Sequence, residues 1–136
     1  MPSFGQNLAS LRTLAIAEVN NAIGQTRSRY ITVIPGQEMI YAEKEKEALE
    51  YIRQSGEHAM VPLDDFPLIA SEVGITASTA YEVAQIVAYL GAAWRRTAAA
   101  LDKLRLGAIR RIEETTSRLE IDAAVAELKT SLETFK

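Results

Sequence analysis

His58 is the only histidine in this 136-residue chain, and there is no cysteine, so imidazole acid-base chemistry would have to begin at this one residue. Around it stand Glu57, Asp64 and Asp65, and no helical period survives from Ser55 to Pro62. A metal site needs three or four ligands at defined spacing, and an activated nucleophile needs a base that a third group orients. Neither pattern is present, so His58 reads as an exposed loop histidine. The lack of cysteine also excludes disulfides, thiolate nucleophiles and cysteine-based zinc sites.

Paired carboxylates are the next chemistry to weigh, since two acids facing each other across a cleft can divide general-acid and general-base work. Glu43, Glu45, Glu47 and Glu50 are interleaved with Lys44 and Lys46 on one helical stretch. The alternation reads as a solvated helix face supported by i,i+4 pairs. Carboxylates with ordinary protonation behaviour make poor catalysts, because the two roles need environments that separate their pKa values. Nor does the chain hold a Gly-x-Gly-x-x-Gly, a Walker loop or a Gly-x-Ser-x-Gly, the glycine-rich turns that cradle phosphates or present a nucleophilic serine. The expectation is a protein that is not an enzyme, with no catalytic residues, no cofactor and no metal.

Positive charge gathers in one place. Arg95, Arg96, Lys103, Arg105, Arg110 and Arg111 share a predicted helix, with Asp102 the only acid between positions 95 and 111. Such a helix can neutralise phosphates, so a nucleic-acid-binding regulator is one reading and charge-mediated protein contact is another. The net charge of −3 and the lack of interleaved aromatics beyond Trp94 speak against nucleic acid. The acidic helix upstream offers a charge match within or between subunits.

These residues must be carried by helices. Apolar residues at Phe4, Leu8, Leu11, Ala15, Val19 and Ala22, widened by Leu14, Ile16 and Ile23, predict an amphipathic helix over 4–24 with Gly24 just past its end. Tyr30 to Ile34 is β-branched and aromatic before Pro35 and Gly36, and predicts a short extended segment over 30–34. A lone strand leaves backbone groups unsatisfied, so it either packs as extended chain or pairs with another subunit. A second helix is expected over 37–54, using Met39, Ile40, Tyr41, Ala42, Ala48, Leu49, Tyr51 and Ile52. A linker over 55–64 follows, then a short helix over 65–73 with Asp64 or Asp65 as cap, Pro67 in its first turn and Gly74 as its stop.

The fourth helix, expected over 79–115 with Thr79 and Glu82 at capping-box spacing, is the main feature. Val83, Val87, Leu90, Trp94, Thr97, Leu101, Leu104, Ala108, Ile112 and Thr115 repeat at intervals of four and three, the pattern of a helix packed along its length against others. At 1.5 Å per residue it would extend about 55 Å, against a diameter of roughly 37 Å for a compact globule of this size. The predicted fold is therefore an all-α, elongated bundle of four to five helices in a single domain, with one short extended segment at most. Trp94 sits on the stripe and reads as a core or interface anchor. Thr115, Thr116 and Ser117 break the register, and Ser117 with Glu120 starts a last helix over 118–135 whose stripe is Ile121, Val125, Leu128, Leu132 and Phe135. A turn there folds it back as an antiparallel neighbour; the competing reading is one long kinked helix. The residues expected to pack or form an interface are Leu8, Leu11, Val87, Leu90, Trp94, Leu101 and Leu104.

The first Lys or Arg is Arg12, and the longest charge-free apolar run in the second half, Val83 to Trp94, is 12 residues. Neither a secretory leader nor a membrane span is expected, which places synthesis in the cytoplasm.

The order of segments carries a resemblance. The stretch from Tyr30 to Tyr41 with its Pro35-Gly36-Gln37-Glu38, the Lys/Glu/Ala helix, Phe66 to Thr76 with its Pro67 and Gly74-Ile75-Thr76, and Val83 through Trp94-Arg95 into the basic helix together resemble small tailed-bacteriophage proteins. These are tail-fibre-associated and tail-fibre-assembly proteins, and similar stretches occur at the ends of some longer tail proteins. The likeness spans about residues 8–126 and holds no catalytic motif. The long heptad-patterned helix carries the expectation of a homo-oligomer, while the likeness implies a non-enzymatic role in the fibre or baseplate region of a tail, with another tail protein as partner. It also implies synthesis in the host cytoplasm followed by a place in the virion tail. An assembly chaperone absent from the mature virion is the alternative within the same family.

Overall fold

A computed structural model describes residues 4–31, 35–55 and 61–135, with side chains from Asn7 onward. The position of Phe4 on the first stripe, most of the extended segment expected over 30–34, and His58 with Glu57 lie outside these. The described chain is all-α: α1 (Phe4–Arg27), α2 (Gln37–Ser55), a 3-10 turn (Leu63–Asp65), α3 (Pro67–Glu72), α4 (Ala80–Glu113) and α5 (Arg118–Glu133). Among the described residues the extended pairing is limited to an isolated bridge between Val73 and Ala77. It closes around Gly74, whose φ of +86° suits a residue without a Cβ.

Buried side chains gather in two compact units. The first comprises α1, α4 from Thr97 onward, and α5. Its core is Ala15, Val19 and Ile23 of α1, Leu101 and Ile112 of α4, and Ile121, Ala124, Val125, Leu128 and Leu132 of α5. Leu8, Leu11, Leu104, Ala108 and Phe135 pack on its margin. The α5 stripe thus falls where its period places it. The break before it is real: Ser117 Oγ accepts the Glu120 N–H at 3.2 Å while Glu120 Oε2 accepts the Thr116 N–H at 2.8 Å. The reciprocal bond of a capping box is therefore shifted one residue upstream. Arg12 reaches from α1 to the carbonyl of Thr115, placing a cation at the negative end of α4, where the helix dipole favours it.

Two expectations for α1 are corrected. Gly24 does not end the helix, which runs on to Arg27. Thr26 is buried on the core side and its hydroxyl donates to the Ala22 carbonyl at 3.0 Å, so a further turn has both packing and a bond to hold it. Leu14 does not widen the buried face but stands in solvent, being about 100° round the helix from Ala15.

The second unit comprises α2, the 3-10 turn, α3, and α4 up to Arg96. Its core is Ala48, Tyr51, Phe66, Ile69, Val83, Ala84 and Val87, with Tyr51 and Phe66 edge to face at 5.2 Å between ring centroids. Neither Asp64 nor Asp65 caps α3. Both fall in the 3-10 turn, and the N-cap position is Phe66, which offers no side-chain acceptor. The acceptor comes from α2: Glu47 Oε1 takes the Ile69 N–H at 2.9 Å. Met39, Ile40 and Leu49, counted among the apolar residues of α2, are exposed, because this helix buries the other side.

Candidate functional site

The alternating run on α2 is not the uniformly solvated face its composition suggests. Lys44, Glu45 and Glu47 are half-buried, and each is engaged. Lys44 Nζ lies 2.7 Å from Glu72 Oε2, and Glu45 Oε1 lies 2.6 Å from Arg95 Nη1. Burial pushes the Glu72 carboxyl upward, but the Lys44 ammonium and the Thr76 hydroxyl together outweigh it, and its pKa falls below the ordinary value. On the exposed side, hydrogen bonds from Arg53 and then Gln54 hold Glu50 down at about 2. Both shifts keep the carboxylate ionised, the opposite of what a general acid needs. Among the described residues no group of three or more acids could hold a metal, and no helix is long and apolar enough to cross a membrane.

The basic residues of α4 divide in two. Arg95 pairs with Glu45, Arg105 with Asp102 at 3.1 Å, Arg110 with Glu114 at 3.2 Å, and Arg111 with Glu127 of α5. Arg105 also reaches Asn20 of α1 at 3.4 Å. The acidic complement expected from α2 is thus found at Arg95, while the others draw theirs from α4 and α5. Among the described residues, Arg96 and Lys103 have no carboxylate within 4 Å. The shallow depression bordered by Ala99, Asp102, Lys103, Leu106, Gly107 and Arg110 is formed by one helix alone, so nothing encloses a small ligand there.

The residues expected to pack are distributed as follows. Leu101 is fully buried and Val87 nearly so; Leu8, Leu11 and Leu104 are half-buried against the first core, and Trp94 is half-buried. Leu90 departs from the internal stripe, with 58% of its surface exposed. Gly91 stands on the side of α4 that faces α2, where a Cβ would collide with the Glu45 carboxylate. Leu90 lies about 100° round the helix from Gly91, away from the contact with Glu45.

Leu90 joins two residues the stripe left out. Ile86 and Tyr89 are 38% and 70% exposed, and Ala93 lies half-buried one turn beyond. Glu82 precedes this apolar run and Arg96 follows it, both exposed. The signal is in the sequence: Glu82, Ile86, Tyr89, Ala93 and Arg96 are spaced four, three, four, three, one residue ahead of the stripe through Val83, Val87 and Leu90. Compared with protein-family models, curated proteins and solved structures, the chain matches none.

Proposed function

We propose that this chain is a non-enzymatic contact protein that works through helix surfaces, associating with itself and attaching to a partner protein. The observation that carries this reading is the exposed apolar run of Ile86, Tyr89 and Leu90 on α4. Large apolar side chains grouped on one side of a helix are costly in water and mark contact with another macromolecule. The setting we propose is the fibre or baseplate region of a bacteriophage tail, for which the support is the resemblance of residues 30–41, 66–76 and 83–95 to tail-associated proteins. The basic residues favour nucleic acid less, since four of the six already have carboxylate partners.

Light scattering on the purified full chain tests the contact: a mass above the 15.0 kDa of one copy is expected, and a strict monomer overturns self-association. Mass spectrometry of purified virions tests the setting. The protein is expected in the finished particle; presence in the infected cell with absence from the particle would assign it to the assembly-chaperone reading instead.

A further inference from the structure

We infer that the exposed face of α4 from Glu82 to Arg96 is the contact between two copies of this chain, paired antiparallel about a two-fold axis at Tyr89. The inference rests on the contact reading above and names its partner and geometry. Glu82, Ile86, Tyr89, Ala93 and Arg96 occupy one side of the helix at heptad spacing. Glu82, Ile86, Tyr89 and Arg96 are exposed and Ala93 is half-buried. Among the described residues, neither Glu82 nor Arg96 has an ionic partner within 4 Å.

The face is self-complementary. Glu82 and Arg96 each lie seven positions from Tyr89, about 10.5 Å along the axis in either direction. Laying a second α4 against the first in the opposite direction brings each Glu82 level with the second copy's Arg96, giving two ion pairs at the ends. Between them, Ile86 of each copy comes level with the small Ala92-Ala93 stretch of the other, and the two Tyr89 rings meet at the axis. This is an isologous contact, the same surface used twice. A parallel arrangement would set Glu82 against Glu82 and Arg96 against Arg96, and like charges across an interface exclude it. A nucleic-acid backbone or an anionic membrane would meet Arg96 but be repelled by Glu82, so the acid at one end selects a protein partner of the same pattern.

Charge exchange tests the pairing. Sedimentation of the full chain is expected to give a dimer that Glu82→Arg or Arg96→Glu weakens by about tenfold or more. The double variant E82R/R96E, which restores opposite charges across an antiparallel contact, returns to near the original affinity. Because the chain has no cysteine, introduced thiols report geometry directly. Tyr89→Cys is expected to form a disulfide-linked dimer on mild oxidation, whereas Arg96→Cys is not, the two positions 96 being about 21 Å apart along the axis. Circular dichroism checks that every variant retains its helices. An oligomer indifferent to the charge exchanges, or one that crosslinks through position 96, overturns the antiparallel pairing and leaves the contact reading standing. A native chain that is monomeric at tens of micromolar overturns the pairing and self-association with it.

Discussion

The Glu47 side chain of α2 accepts a hydrogen bond of 2.9 Å from the backbone N–H of Ile69 in the first turn of α3. A six-residue helix cannot hold itself together in water, and α3 lacks a capping side chain of its own. The carboxylate from a neighbouring helix satisfies one orphan donor and places negative charge at the positive end of the helix. Glu47→Ala is therefore expected to lower stability by about 0.5–2 kcal/mol, the usual worth of an N-cap. Asp64→Ala and Asp65→Ala, at exposed positions in the 3-10 turn, are expected to stay within about 0.5 kcal/mol. Denaturant unfolding of the three variants checks this. An Asp64 or Asp65 effect exceeding that of Glu47 would return the cap to the residues the sequence first suggests.

Leu101 separates core from pattern. It is wholly buried among α1 and α5 side chains, whereas Leu119 at the start of α5 stands in solvent. Leu101→Ala is expected to cost about 2–5 kcal/mol, combining lost transfer energy with the cavity left behind. Leu119→Ala should change stability by no more than about 0.5 kcal/mol. Thermal and denaturant unfolding measure both, and equal effects would mean that the buried face of the first unit is wrongly placed.

Periodicity made much of this legible and then reached its limit at particular residues. Ile121, Val125, Leu128 and Leu132 bury as their spacing requires, because α5 has one apolar side and a clear start at Ser117. On α4, two rows one residue apart, through Val83-Val87-Leu90 and through Ile86-Tyr89-Ala93, are both largely apolar, so spacing alone does not decide which turns inward. The decision falls to the packing partners: Val83, Ala84 and Val87 bury with Ala48 and Tyr51 of α2 and with Phe66 and Ile69. That is a tertiary fact, invisible to a single helix. Lys44, Glu45 and Glu47 were obscured for the same reason: an alternating charged run looks alike whether its partners are water or the buried ends of other helices.

Glu72 offers a pH test with a definite sign. Its folded pKa lies below the ordinary 4.5 because Lys44 and Thr76 together outweigh burial. The folded state thus binds its proton less readily than the unfolded state. The resulting stability is present above the unfolded value and is lost as pH falls through the folded one. Lys44→Met removes both contributions from the ammonium and leaves burial, the largest single influence, opposed only by Thr76. The Glu72 pKa is then expected to rise above 4.5, and its contribution to stability to fall as pH increases across that value. Carbon-detected NMR of the Glu72 carboxyl in both proteins reads the two directions. A titration unmoved by the substitution would show that the 2.7 Å pair does not form in solution.

At Gly91 a single added methyl group meets the end of a side chain from a neighbouring helix. An alanine in a helix interior is ordinarily favoured over glycine by about 0.8–1 kcal/mol, but here the added Cβ would displace the Glu45 carboxylate from its place beside Arg95. Arg95 is largely exposed, so the lost ion pair is worth at most about 1 kcal/mol. The two effects oppose each other, and Gly91→Ala in the native chain is expected to change stability little. In a Glu45→Ala background the obstruction is gone, and the same substitution should stabilise by about the full helix-propensity difference. The four proteins form a double-mutant cycle whose coupling energy isolates the contact. If Gly91→Ala stabilises both backgrounds equally, the Glu45 side chain of α2 does not lean on this glycine.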